Sequence, residues 1–410
     1  MSGLLFLAHR LPFPPDRGDK IRSHHVLKAL AELAPVHVGC FAETAADKAA
    51  EAELAALAAS YCMPMRTKPL SVAGLQAIAR GEPVSLTAFR HRALAQWVQR
   101  TLEREAIDTI YVFSGQMGQY VPAEWQGRLV VDLVDVDSAK FEAYSREKPA
   151  PMRWIDAREA RLLAIEESRL AARAHHTLLV SEEEAALLAE RLPPGTRAAI
   201  SSLGNGIDAE VFDPARVPPH PVLAEPGPHL VFTGQMDYKP NVDAARRTVE
   251  RLMPAIRAIH PTAQFQVVGR APPPELLALD GVNGARVWGE VPDVRPFLAG
   301  ADLVLAPLTI ARGVQNKLLE AMAMGRPVVT TLPAATGLPG REGVHWAVAN
   351  SDPVLVGRTL GLLAQGDNAR AMGAAARRLV VETMSWPAKL APLPALVGRK
   401  PSQKVRRNAA

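Results

Sequence analysis

The stretch ADLVLAPLTIARGVQNKLLEAMAMGRPVVTT, residues 301–331, decides how this chain folds. Residues 302–306 and 327–331 are short apolar runs, and 314–324 between them has helical spacing. Two such strands joined through a helix form a parallel βαβ unit. At ~100° per residue, Gly313, Asn316, Lys317 and Glu320 share one side of the helix. Val314, Leu318, Leu319 and Met322 take the other, with Gln315 the one polar residue among them. The spacing predicts a buried helix with a polar stripe. Glycine opens its N-terminus, a geometry suited to anions.

The same alternation extends in both directions. Strands are predicted at 3–8, 36–41, 109–113, 129–133 and 177–181, with helices at 20–34, 45–59, 89–105 and 152–174. Further strands fall at 229–233, 264–268, 286–288, 302–306 and 327–331, with helices at 242–259, 293–300, 314–324 and 353–382. Runs of this kind define a doubly wound α/β architecture. Six prolines between 213 and 229 read as an interdomain linker. The expected organisation is a first domain over 1–212, a linker over 213–228, a second domain over 229–385 and a basic tail over 386–410. Two Rossmann-like domains would place a ligand cleft at the carboxyl ends of both sheets.

Composition narrows the function. The 410 residues, 48% hydrophobic and 22% charged, match a soluble globular protein of two domains. Cys40 and Cys62 offer no disulfide framework and fit a reducing cytosol. The N-terminal apolar run lacks a basic region and a cleavage site and reads as a strand, not a signal peptide. No segment approaches the ~18 apolar residues that span a bilayer. The net charge of +5 is concentrated. Residues 66–104 hold seven Lys/Arg against Glu82 and Glu103, and the tail from Gly398 holds five more with no acid. No zinc or RNA-binding motif accompanies this charge, so an anionic membrane surface is the expected partner rather than nucleic acid. The basic, Trp97-containing stretch 86–104 is the expected contact, with a solvated charged face as the alternative.

The second half resembles the retaining nucleotide-sugar glycosyltransferases of family 4 (group 1), which have the GT-B fold of two facing Rossmann-like domains. SSLGNGIDAEVF, LVFTGQMDYKPNVDA, FQVVG, VWGEVPDVRPFLAGADLVLAPL and GVQNKLLEAMAMGRPVVTT stand in that family's order. LPFPPDRGDKIRSHHVLKAL, VVDLVDVDSAKFEAYS and VSEEEAALL extend the resemblance into the first half. Together they look most like the sugar transferases associated with exosortase and exopolysaccharide gene clusters. The resemblance implies transfer from a nucleoside-diphosphate sugar to a glycan or lipid-linked acceptor with retained configuration. It implies no metal cofactor and a cytoplasmic location, peripheral on the inner membrane face. The alternatives are a nucleotide-sugar 2-epimerase of the same fold and a catalytically degenerate nucleotide-sugar-binding module.

Site residues follow from the same motifs. Gly234 matches the family's diphosphate loop, Gln235 replaces its arginine, and Lys239 remains as the cation. Glu320 matches the second acid of the family's Glu-x7-Glu pattern, which accepts the ribose hydroxyls. Arg312 reverses the first acid's charge and is expected to meet the diphosphate, together with Gly313 backbone and Lys317. Gly289 and Val291 are expected to read the base edge. On the first domain, Arg17 and Gly18, with Asp16 and Asp19, are expected beside the donor. Asp132 or Asp135 would orient the acceptor hydroxyl or act as acid/base. His24 and His25 read as structural, and Asn205-Gly206 as a tight turn.

Overall fold

The computed structural model describes residues 2–311 and 314–400. The chain forms two compact units, one of residues 1–205 with 389–410, the other of residues 206–388.

In the first unit seven strands form one sheet: β1 (Gly3–Ala8), β2 (Val36–Gly39), β3 (Ser60–Cys62), β4 (Ile107–Phe113), β5 (Arg128–Val134), β6 (His176–Leu179) and β7 (Ile200–Ser202). Their order is β3-β2-β1-β4-β5-β6-β7, and every pairing is parallel. All six residues of β1 are buried, as a strand covered on both faces requires. The edge strands β3 and β7 are short and half-buried, so they carry no apolar run to announce them. They form by pairing with a neighbour already in place.

The second unit holds β8 (His229–Thr233), β9 (Gln264–Val268), β10 (Ala285–Gly289), β11 (Leu303–Ala306), β12 (Val328–Thr330) and β13 (Ala347–Val348). Their order is β10-β9-β8-β11-β12-β13, again all parallel. In both sheets the first strand lies centrally, and winding reverses between it and the fourth. Ligands of such sheets bind at that reversal, outside the carboxyl ends of the strands.

The units part elsewhere than the prolines suggest. Residues 213–228 belong to the second unit, where Val217 and Val222 enter its core. His220 stacks on Phe297 at 4.2 Å, with Trp288 against both. The prolines therefore shape a packed surface rather than a free linker. The chain leaves the first unit at Asn205 and returns to it at Lys389. There Leu393 and Val397 are buried, and Arg399 pairs with Asp108 at 2.6 Å. Residues 401–410, the rest of the expected basic tail, lie outside the described residues.

Gly206 sits where the second unit begins. A Cβ there would lie 2.6 Å from the Trp386 backbone nitrogen. That backbone must come close because Ile207 exchanges hydrogen bonds with Met384 and Trp386 at 2.8 and 3.2 Å.

Candidate functional site

Three loops meet at the carboxyl ends of β8, β9 and β10. Gly234 follows β8 and donates its N–H to Val268 O at 3.1 Å; Gly269 follows β9 and donates to Gly289 O at 2.9 Å. A Cβ on Gly269 would come within 1.6 Å of Gly234 O, and one on Gly234 within 3.0 Å of Lys317 Nζ. Only bare backbone fits there. Gly269→Ala should cost about 1–3 kcal/mol through overpacking, checked by denaturant unfolding, and should displace the Gly234 loop.

The helix Asn316–Ala323 comes in from the other side of the reversal, after β11. Leu318, Leu319, Ala321 and Met322 are buried in the core, which turns Lys317 and Glu320 to the opposite side. Lys317 Nζ lies 4.8 Å over the Phe232 ring and donates a short hydrogen bond to Asn241 Oδ1. The Asn241 amide in turn donates to Gln235 O at 2.8 Å. Burial lowers the Lys317 ammonium to about 8, with Glu320 acting against the fall. Burial raises the Glu320 carboxyl, with Lys317 countering. Among the described residues, no hydrogen bond or ion pair reaches the Glu320 carboxylate. A half-buried acid with no such partner among the described residues, beside a desolvated lysine, is arranged for a ligand that supplies both donors and negative charge.

The sequence-predicted residues distribute unevenly. Gly234, Lys317 and Glu320 lie at this edge; Arg312 and Gly313 fall outside the described residues. Lys239 is turned to solvent and holds Asp243 at 2.9 Å, so the ammonium beside Gly234 is that of Lys317. Gly289 ends β10 at φ 68°, a left-handed conformation that favours glycine. Val291 is half-buried against the core. Asn241 and Phe232, which position Lys317, were not legible as site residues. An asparagine one place after Pro240 in a first helical turn looks like an ordinary helix entry.

On the first unit, Asp19 accepts from Arg10 at 2.6 Å and contacts His9 Nε2 at 3.2 Å. Burial opposes ionisation of Asp19, but His9 and Arg10 hold its carboxyl well below the ordinary range. Arg17 lies 3.4 Å from Asp19 and 3.2 Å from Glu43, half exposed. Gly18 opens the helix Gly18–Ala31, with no atom within 4 Å of an added Cβ. Its surroundings are open, as a ligand-facing loop needs, but its backbone does not demand glycine.

Asp132 is the clear correction. It is fully buried, takes Arg22 Nε and Nη2 at 3.0 Å each, and accepts from Tyr111 at 2.9 Å and from the Val134 N–H at 3.2 Å. With its lone pairs engaged and no exposed surface, it cannot reach an acceptor hydroxyl. Arg22 extends the network to Leu203 O at 2.6 Å and Asn205 Oδ1 at 3.0 Å, fixing the end of the first unit. Asp135 remains half-exposed and pairs with Lys140 at 2.6 Å.

Residues 227–381 match the family described as glycosyl transferases group 1. That match covers most of the second unit. Solved structures similar over the whole chain include Anabaena HepE in complex with UDP, at 15% identity and TM-score 0.62, covering 97% of this chain and 100% of that one. A glycosyltransferase from Rickettsia africae ESF-5 is 14% identical with TM-score 0.60, covering 99% of each chain. WaaG, a glycosyltransferase involved in lipopolysaccharide biosynthesis, is 19% identical with TM-score 0.55, covering 96% of this chain and 100% of its own. The fold is that of the GT-B glycosyltransferases. No curated protein matches the chain by sequence.

Proposed function

We propose that the protein is a glycosyltransferase that moves a sugar from a nucleoside-diphosphate donor to a glycan or lipid-linked acceptor. The observation that carries this reading is the Glu320 carboxylate, which no hydrogen bond or ion pair reaches among the described residues, on the same helix side as the desolvated Lys317, at the winding reversal beside Gly234. The carboxylate would accept both ribose hydroxyls, and Lys317 would meet the diphosphate with the Gly234 backbone. Arg312 and Gly313 would extend the same anion site. The cations and amides, rather than a metal ion, would stabilise the charge that develops on the leaving diphosphate. A uridine nucleotide is favoured by the structural likeness to HepE, which was solved with UDP and with UDP-glucose. Gly289 and Val291 would border the base, and Arg17, Gly18 and Asp135 the acceptor side. The resemblance to family 4 supports retained configuration and a role in exopolysaccharide or cell-surface glycan synthesis, at the inner face of the membrane.

The deciding experiment incubates purified protein with UDP-, GDP- and ADP-linked sugars and follows nucleotide release. Release that requires an acceptor makes it a transferase. Sugar isomerisation without acceptor makes it an epimerase, and binding without turnover a binding module.

The depressed Lys317 ammonium adds a pH signature. Below about 8 it is charged in the free protein and ready for the diphosphate. As pH rises through that value the charge is lost, so binding must take up a proton. UDP affinity should fall above pH 8, with proton uptake visible as a buffer-dependent heat in titration calorimetry. A flat affinity between pH 7 and 9.5 would remove Lys317 from the diphosphate site.

A further inference from the structure

The helix Leu70–Arg80 in the first unit turns an apolar face to solvent. Ala73 and Ala77 are its buried residues, whereas Leu70, Leu75 and Ile78 are 66, 72 and 66% exposed. Between Leu70 and Ala79 it carries no charge. Beside it begins the helix Met152–Arg173, where Trp154 is 71% exposed and Ile155 48%. The two are tied together: Arg158 donates to Ala77 O at 2.9 Å, and Glu159 takes the N–H groups of Val84 and Ser85 at 2.7 and 2.8 Å. Leu75 and Ile78 on one helix, and Trp154 and Ile155 on the other, stand within four residues of the Arg158–Ala77 tie, an unusual way to spend large apolar side chains on a surface.

Within the two stretches that form it, the charges left without an opposite partner are basic. Every acid in residues 70–82 and 151–161 is engaged: Glu82 by Arg90 at 2.6 Å, Asp156 by Lys148 at 2.9 Å, and Glu159 by the N–H groups above. Arg80, Arg153, Arg158 and Arg161 have no carboxylate partner among the described residues. We infer that this face docks on an anionic phospholipid bilayer. Leu75, Ile78 and Trp154 enter the interface, and the arginines meet lipid phosphates. Apolar residues rimmed by unneutralised arginine suit the headgroup boundary, where hydrocarbon and negative charge lie side by side. A second copy fits poorly, because a twofold contact would set arginines against arginines. No helix among the described residues is long and apolar enough to cross a membrane, so the helix lies in the interface plane. The stretch singled out by charge alone is a different one. Within it, the helix Arg92–Arg104 buries Leu94 and Val98, and Trp97 packs on the first unit's core.

This surface deepens the proposed membrane location but rests on observations independent of the donor site, so the test reads both separately. Full-length protein is sedimented with vesicles of phosphatidylcholine, with and without phosphatidylglycerol, while UDP affinity is measured in the same preparations. The expected result is co-sedimentation only with phosphatidylglycerol, weakened by salt. Leu75→Glu with Ile78→Glu should reduce binding about tenfold or more, with melting temperature and UDP affinity unchanged. Tryptophan emission should shift to the blue on vesicles, and the shift should shrink in Trp154→Phe. Equal binding to both vesicle types, no binding to either, or wild-type binding by the double variant overturns the inference. A wild-type dimer split by the double variant overturns it too, by giving the face to a second copy.

Discussion

Glu320→Gln is expected to abolish useful nucleotide binding while leaving the protein at least as stable as the wild type. The two effects have opposite signs for one reason. In the free protein the carboxylate's pKa is raised by burial, with Lys317 countering, and no hydrogen bond or ion pair compensates it among the described residues. Glutamine keeps the shape and removes the buried charge, so folding loses nothing. Binding loses a charged acceptor for two hydroxyls. Hydrogen bonds to a charged group contribute about 1.5–3 kcal/mol each, so the pair corresponds to roughly a hundredfold or more in affinity. Titration calorimetry with UDP and a thermal melt on the same sample check both halves. An affinity within about threefold of wild type would take Glu320 out of the ribose site. A melt well below wild type would make it a structural acid.

Asp132→Asn should show the reverse pattern. The carboxylate is the counter-charge of Arg22, itself among the largest fully buried side chains. The amide leaves a guanidinium buried with no neutralising partner, at a cost of about 3–5 kcal/mol. For a stability of typically about 5–15 kcal/mol that is a large fraction, and the first unit should melt roughly 10 °C lower. Replacing both partners, Arg22→Met with Asp132→Leu, should recover much of the loss, because two apolar groups need no compensation. Wild-type melting of Asp132→Asn together with lost turnover would return Asp132 to the acceptor site.

These two acids show what could be read in the sequence. Both stand in apolar surroundings: Asp132 in LVVDLV and Glu320 in KLLEAMA. Either is compatible with catalysis or with a buried ion pair. Helical spacing separated Glu320 from its apolar neighbours and aligned it with Lys317, because both residues lie within one turn. Nothing local marks Asp132 as occupied. Its partner Arg22 is 110 residues away, in a stretch that reads as a plain charged helix entry. The same limit hid the exposed apolar residues of the helix Leu70–Arg80. Counting basic residues selected 86–104, yet packing buries one face of that helix and leaves Leu75 and Ile78 uncovered.

The central strands, the helices between them and the glycine-rich turns at their carboxyl ends were determined by amino-acid order alone. A strand buried on both faces must be apolar whatever surrounds it, and periodicity is local. The boundaries at 205/206 and 388/389, the edge strands, the burial of the proline-rich segment and the partners of buried charges such as Arg22 and Asp132 were decided only by the tertiary structure. Each depends on contacts between residues far apart in the chain. Long-range ion pairs and edge pairing have no period, so no local pattern records them. Lys317 is the sharpest case: its place on the helix is local, but its lowered pKa comes from burial that only the assembled unit imposes.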